Sequence, residues 1–170
     1  MNLPMPLSLI RIIDLTINYA GPMTTMFLAD MGAEVIKVES IQRIDDQRGI
    51  KWPPKGLLRY PDKEPGERPW NRNANFNQIN RNKLGITLDL THPKGKIIFL
   101  ELVKTADIVV DNFSARVMGN LGLTYEVLKR VKPDIIVMSM PGFGKTGPFK
   151  DYLGWGQQWE SVSGLTAATG

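Results

Sequence analysis

The sequence predicts an α/β fold built on a doubly wound parallel sheet. Short runs rich in isoleucine and valine alternate with helical segments along the chain. That alternation is the pattern of a parallel sheet covered by helices. The strand candidates are apolar almost throughout, as strands buried on both faces are. Glycine, proline, asparagine and serine cluster after most of them, where turns are needed.

Ser8 to Thr16, SLIRIIDLT, reads as the first buried strand. The turn Asn18-Tyr19-Ala20-Gly21-Pro22 follows, and Pro22 suits the first turn of a helix, where its missing N–H costs nothing. Met23 to Met31 is that helix, with Phe27 and Leu28 among its core candidates and Gly32 as its stop. Ala33 to Glu39, AEVIKVE, is the second strand, which completes a β-α-β unit with a right-handed crossover. Residues 41–80 hold five prolines, Pro53, Pro54, Pro61, Pro65 and Pro69, with many charges and no sustained period. They predict a long excursion, and loops of such length are usually functional or disordered. Its asparagine-rich end, residues 71–83, allows a short helix, although asparagine favours caps and turns.

Regular structure resumes with the strand GITLDL, residues 85–90. Thr91-His92-Pro93 caps a helix from Lys94 to Thr105, and ADIVV, residues 106–110, is a strand. Ala115 to Leu121 suits a short helix, and Thr124 caps another from Tyr125 to Val131. Asp134 to Met140 is the last strand, followed by the glycine-rich Pro141-Gly142-Phe143-Gly144 and a final segment from Gln157 to Thr169. The expected strands are residues 9–15, 34–39, 86–89, 107–110 and 134–139, in a Rossmann-like sheet.

The chain has 170 residues, 42% hydrophobic and 22% charged, which suits one globular domain. It has no cysteine, which excludes a disulfide scaffold, thiolate metal ligands and a cysteine nucleophile. The net charge of +4 is mild. The basic residues of the excursion are interrupted by acids and read first as a solvated loop, second as an attractor for a small phosphorylated ligand. No nucleic-acid-binding motif accompanies them. No apolar run has the length of a membrane span, and the N-terminus lacks the features of a signal peptide, so a cytoplasmic location is expected. No metal-ligand cluster is visible, and no metal is expected.

In open parallel sheets, ligands gather beyond the carboxyl ends of the strands. The residues there are Asn18-Tyr19-Ala20-Gly21-Pro22, Glu39-Ser40, Asp89-Leu90-Thr91, Asp111-Asn112-Phe113-Ser114 and Met140-Pro141-Gly142-Phe143-Gly144. Small residues and side-chain amides let a ligand approach backbone N–H groups at helix starts, which suits phosphates. Any one of these loops is equally ordinary turn chemistry. The first turn lacks G-x-G-x-x-G, which disfavours a dinucleotide oxidoreductase, and the Gly142 loop lacks phosphate-loop spacing. His92, the single histidine, reads as a cap or surface residue. Asp14, inside the first strand, reads as a structural carboxylate.

Four stretches, taken together and in order, resemble the family III CoA transferases, the class that includes formyl-CoA and carnitine-CoA transferases. They are IIDLTINYAGPMTTMFLADMGAEVIKVE (residues 12–39), NRNKLGITLDLTHPKGK (80–96), ADIVVDNFSARVMGNLGL (106–123), and PDIIVMSMPGFGKTGPFKDY with the later SGLTAATG. The resemblance implies a coenzyme A site at Tyr19 and Ala20, at Leu88, Asp89, Leu90 and Thr91, and at Asn112, Phe113 and Ser114. Gly142 belongs to the loop facing the thioester. The resemblance also implies an acyl-CoA and a carboxylic acid as substrates, a homodimer for the full-length enzyme, and neither nucleic acid nor membrane as partner. Departures from the family pattern include Ser40 where members often carry a base, Tyr19 where formyl-CoA transferases place glutamine, and Asn120 where they place arginine. Arg116 and Arg43 are candidates for the missing charge, and formyl-CoA is disfavoured as substrate.

The family nucleophile is an aspartate in a G-D motif that follows the stretch ending here at Thr169-Gly170. Residues 1–170 are therefore expected to form the N-terminal part of a CoA-binding large domain, a sheet incomplete relative to the whole family fold. The catalytic aspartate and the second, small domain are expected to lie beyond Gly170. The chain reads as a truncated CoA transferase, inactive alone. The alternative is a non-catalytic CoA-binding or assembly module that needs a second chain.

Overall fold

The computed structural model describes residues 4–169. Its centre is a sheet of five parallel strands, β1 (Arg11–Asp14), β2 (Glu34–Glu39), β3 (Lys83–Thr87), β4 (Ile108–Asp111) and β5 (Ile136–Ser139), in the order β3-β2-β1-β4-β5. The helices are α1 (Ala20–Asp30), α2 (Ala74–Ile79), α3 (Pro93–Val103), α4 (Val117–Asn120), α5 (Tyr125–Val131), α6 (Gly156–Val162) and α7 (Leu165–Thr169).

Neighbouring strand residues serve opposite faces of the sheet. Ile13 and Val109 point into the larger core with Phe99 and Val103 of α3, Met118 of α4 and Leu128 of α5. Ile12 and Val110 point into a smaller core with Val35 and with Ala29 of α1. The continuous apolar runs of the sequence are explained by this two-sided burial.

Four strands fall within two residues of their expected bounds, and the third is shifted further. The third begins at Lys83 and ends at Thr87, short of the expected Asp89. Lys83 pairs with Val35, and its ammonium reaches Asp14, which fixes the start of the strand. Its end is set by Asp89, whose carboxylate accepts the Thr91 N–H at 2.9 Å and turns the chain.

Helix α1 starts at Ala20, three residues before the expected Met23, with Pro22 in its first turn. It ends in a Schellman motif. Gly32, at φ +101°, donates its N–H to Ala29 O, and Ala33 donates to Leu28 O. Phe27 is not a core residue: it is 55% exposed. The face of α1 toward the sheet carries Pro22, Thr25, Met26 and Ala29, at helical spacing, and Phe27 lies off that stripe. Pro93 opens α3, and His92 caps it by accepting the Lys94 N–H at Nδ1. Thr124 occupies the N-cap position of α5, but its hydroxyl makes no cap hydrogen bond.

The excursion, residues 41–80, contains one-turn 3-10 helices at 46–48, 61–63 and 69–71 besides α2. Arg48 ties it to the sheet. Its guanidinium holds both oxygens of Glu39, at 2.8 and 2.5 Å, and stacks 3.6 Å from the Phe76 ring centre. No helix among the described residues is long and apolar enough to cross a membrane.

Candidate functional site

The chain builds β1, β2 and β3 toward one edge of the sheet, then returns to lay β4 and β5 on the other side of β1. The loops after β1 and β4 therefore leave in opposite directions. That divergence marks a topological switch point at the carboxyl ends of the two strands, the usual ligand position in such sheets.

The two loops are bonded to each other. Asn112, just after β4, accepts the Ile17 N–H at Oδ1 (2.9 Å) and donates from Nδ2 to Ile17 O (2.7 Å). Beside them Tyr19, 46% exposed, stands at the N-cap of α1, and Ala20 opens the helix. Tyr19 makes no side-chain cap bond, and no acid occupies the first turn of α1. Anionic groups are favoured at such a helix start.

On the next loop, Leu88 is buried in the larger core, so its backbone alone is presented. Leu90 packs against the same core, and Thr91 is exposed. Asp89 accepts from Thr91 Oγ1 at 2.6 Å and from Gln42 Nε2 at 2.9 Å. The Thr91 hydrogen bonds hold its carboxyl below the usual range. Gln42 thereby joins the loops after β2 and β3.

After β4, Phe113 packs against the core, and its N–H donates to Asp111 Oδ1. Ser114 and Arg116 line a shallow cavity of about 270 Å³ with Val117, Asn120, Asp151 and Leu153. Arg116 pairs there with Asp151 at 2.9 Å. Gly142, after β5, lies so close to the Trp159 indole that an added Cβ would stand 2.2 Å from it. Phe143, Phe149, Tyr152 and Trp159 form an aromatic cluster at that end, with Phe143 edge-on to Trp159 at 4.6 Å. The structure thus joins Asn112 to Ile17, two residues before Tyr19, and lines one shallow cavity with Ser114 and Arg116. The Gly142 loop belongs to a separate aromatic cluster.

Beneath the switch point lies a group of buried charges. Asp14 accepts from the Thr16 amide and hydroxyl, from Thr25 Oγ1 and from Lys83 Nζ. Burial raises its pKa, but the charges of Lys37 and Lys83 and the threonine hydroxyls outweigh burial and leave it lowered. Lys83 also donates to Pro22 O and Asn80 Oδ1, yet burial pushes its pKa down to about 8. Lys37 Nζ donates to Thr16 O at 2.6 Å and stands 3.8 Å from Asp45 Oδ2. Asp45 accepts the Asn18 and Gln47 amides at Oδ1, and burial raises its pKa.

Of this group the sequence reading placed only Asp14, as a structural carboxylate. Lys37, Asp45 and Lys83 were missed. The available signal was Lys37, a lysine between the apolar Ile36 and Val38 in the interior of the strand AEVIKVE. The two other strand-end acids are also engaged. Glu39 is held by Arg48, and Asp111 accepts from Ser139 Oγ and the Phe113 amide. No group of three or more His, Asp or Glu side chains among the described residues is placed to hold a metal ion.

Fold and topology together define a doubly wound α/β protein whose topological switch point lies between β1 and β4. Residues 7–170 match the model of CoA-transferase family III, and the chain belongs to that family. It is 39% identical over 165 residues to a succinate–glutarate CoA-transferase of Agrobacterium fabrum, covering 97% of this chain and 39% of the relative. It is 36% identical over 170 residues to the succinyl-CoA:glutarate CoA-transferase of Homo sapiens, covering 100% of this chain and 36% of the relative. A CAIB/BAIF family protein from Brucella suis superimposes with a TM-score of 0.84 at 34% identity, over 99% of this chain and 42% of that one. The chain spans somewhat more than a third of the length of these relatives.

Proposed function

We propose that this chain supplies the CoA-holding layer of an enzyme that moves CoA from an acyl-CoA to a carboxylic acid. The observation that carries the proposal is the joined pair of loops at the switch point, Thr16–Ala20 and Asn112–Arg116, in a chain of this family. Tyr19 and Ala20 offer the uncapped start of α1 to an anionic or carbonyl oxygen of the ligand. In this reading the backbone of Leu88 to Thr91, the backbone of Asn112 and the residues Phe113 and Ser114 form the walls; Arg116, paired here with Asp151, supplies positive charge once it turns to the ligand, and the Gly142 loop, packed here against Trp159, faces the thioester.

Transfer proceeds by nucleophilic catalysis. A carboxylate attacks the donor thioester, forms a mixed anhydride and expels CoA thiolate. The thiolate attacks the enzyme-side carbonyl, which frees the donor acid and leaves an enzyme-bound CoA thioester. The acceptor carboxylate attacks that thioester, expels CoA thiolate and forms a second mixed anhydride; the thiolate then attacks the acceptor-side carbonyl, which gives the new acyl-CoA and releases the enzyme carboxylate. Glu39 and Asp111 are poor candidates for the attacking group, because both are already held by partners. The attacking group in this reading is the aspartate that the family resemblance implies, outside residues 1–170. Homodimer assembly of the full-length enzyme belongs to the same family reading, and a cytoplasmic location is proposed beside it.

A second reading is a non-catalytic module completed by another chain. No residue between 141 and 169 is fully buried, and Phe149, Leu153, Trp155 and Val162 are each more than half exposed, an apolar surface that either the rest of a longer chain or a second chain would cover. Incubation of the purified chain with acyl-CoA donors and carboxylic acids, followed by mass spectrometry, tests both readings. The expected result is no turnover by the chain alone and turnover after addition of the missing portion of a relative. Turnover without it, or a CoA adduct on Glu39 or Asp111, would show the chemistry to be misplaced. Persistent inactivity of the completed assembly, with CoA binding retained, would favour the binding module.

A further inference from the structure

We propose that Asn112 is a positioning residue that presets the first ligand loop, and that its side-chain amide does not itself serve as a ligand contact. The proposal rests on the CoA-binding reading above and deepens it.

Pairing between β1 and β4 runs from Ile12–Ile108 to Asp14–Val110, and one more backbone bond follows, from Leu15 N–H to Val110 O. Beyond that point β4 offers no backbone partner to the first loop, and the Asn112 carboxamide takes over. It presents one acceptor and one donor to the two polar groups of Ile17, as a peptide group of a neighbouring strand would. The polar groups on either side are held in the same manner. Thr16 N–H goes to Asp14, Thr16 O to Lys37 and Asn18 N–H to Asp45. Every backbone group from Thr16 N to Asn18 N is thus fixed by a side chain.

The loop needs this restraint. Asn18 sits at φ +65°, a left-handed conformation that asparagine adopts more readily than most non-glycine residues but that remains one of several open to a free loop. The next two residues are Tyr19 and Ala20, the uncapped start of α1. A loop already ordered before binding avoids the entropy of ordering it around the ligand. Asn112 holds the only pair of these bonds that crosses the switch point from the β4 side, and 95 residues separate it from Ile17.

Amide hydrogen exchange on the ligand-free chain, read beside CoA titrations, tests the proposal. In Asn112→Ala, protection at Ile17 and Asn18 should be lost while Ile13 and Val109 in the sheet core keep theirs. CoA affinity should fall about tenfold or more, the worth of two hydrogen bonds. Asn112→Asp keeps the shape and the acceptor but removes the donor, so an intermediate loss is expected. The proposal is overturned if protection at Ile17 and Asn18 survives in Asn112→Ala. It is equally overturned if affinity drops with loop protection unchanged, which would make the amide a direct ligand contact. If the unmodified chain binds no CoA, the functional reading fails instead, and the exchange data still decide whether Asn112 orders the loop. Loss of protection throughout the sheet in both variants would mark a merely structural role and would also refute the proposal.

Discussion

Gly95→Ala offers a perturbation whose sign the structure decides against local propensity. Gly95 is the third residue of α3, where alanine is ordinarily better than glycine by about 1 kcal/mol. Here an added Cβ would stand 1.9 Å from the Asp89 carbonyl oxygen and 2.8 Å from its carbonyl carbon. Reaching an ordinary contact of 3.4 Å requires the Asp89 backbone to retreat by 1.5 Å. That backbone cannot retreat freely. Leu88 is anchored in the core, Asp89 O accepts the His92 N–H, and the Asp89 carboxylate is tied to Thr91 and Gln42. Overpacking against such a neighbour costs about 1–3 kcal/mol, here toward the upper end because the neighbour is backbone. After the propensity gain, a net loss of about 1–2 kcal/mol remains, a fall in Tm of roughly 2–8 °C for a chain of this size. Thermal unfolding followed by circular dichroism reads it directly. An unchanged or raised Tm would refute the close approach of α3 to the Asp89 turn.

Phe99→Ala, at a fully buried site in the larger core, should cost about 3–5 kcal/mol in urea unfolding, and a loss under 1 kcal/mol would mean that the core is centred elsewhere. Arg48→Met should leave the sheet folded but release the excursion, because Glu39, Trp70 O and Phe76 all lose their partner. Limited proteolysis between residues 49 and 69 should accelerate several-fold, and an unaltered digestion pattern would remove Arg48 as the anchor. Lys83 carries a pKa lowered by burial to about 8 from 10.5, so between these values the unfolded chain binds the extra proton. Its contribution to stability should therefore rise with pH through that window, by at most about 1.4 kcal/mol per pH unit, and Lys83→Met should remove that slope. A slope that is the same in the variant would contradict the assignment.

The sheet was legible because two-sided burial writes itself as isoleucine and valine runs, and because Gly32 and Pro93 punctuate helices in the ordinary way. Lys83 shows where such reading stops. Nothing local distinguishes a lysine that begins a strand from one that precedes it, and its buried partner Asp14 is 69 residues away. Phe27 was misplaced for a related reason. Its apolarity suggested the core, while the stripe that faces the sheet is made of Pro22, Thr25, Met26 and Ala29, two of them small or polar. The strand-end loops could be marked from turn residues. That Leu88 would be core, Asp89 a turn-maker and Asn112 a clamp on Ile17 depended on contacts between distant strands, which composition and period do not carry.

Coenzyme A is proposed to bind at the carboxyl ends of β1 and β4. Calorimetric titration of the purified chain with CoA, with adenosine diphosphate as competitor and NADH as control, addresses it most directly. CoA should bind, adenosine diphosphate should compete, and NADH should give no signal. Binding of NADH with no binding of CoA would contradict the account.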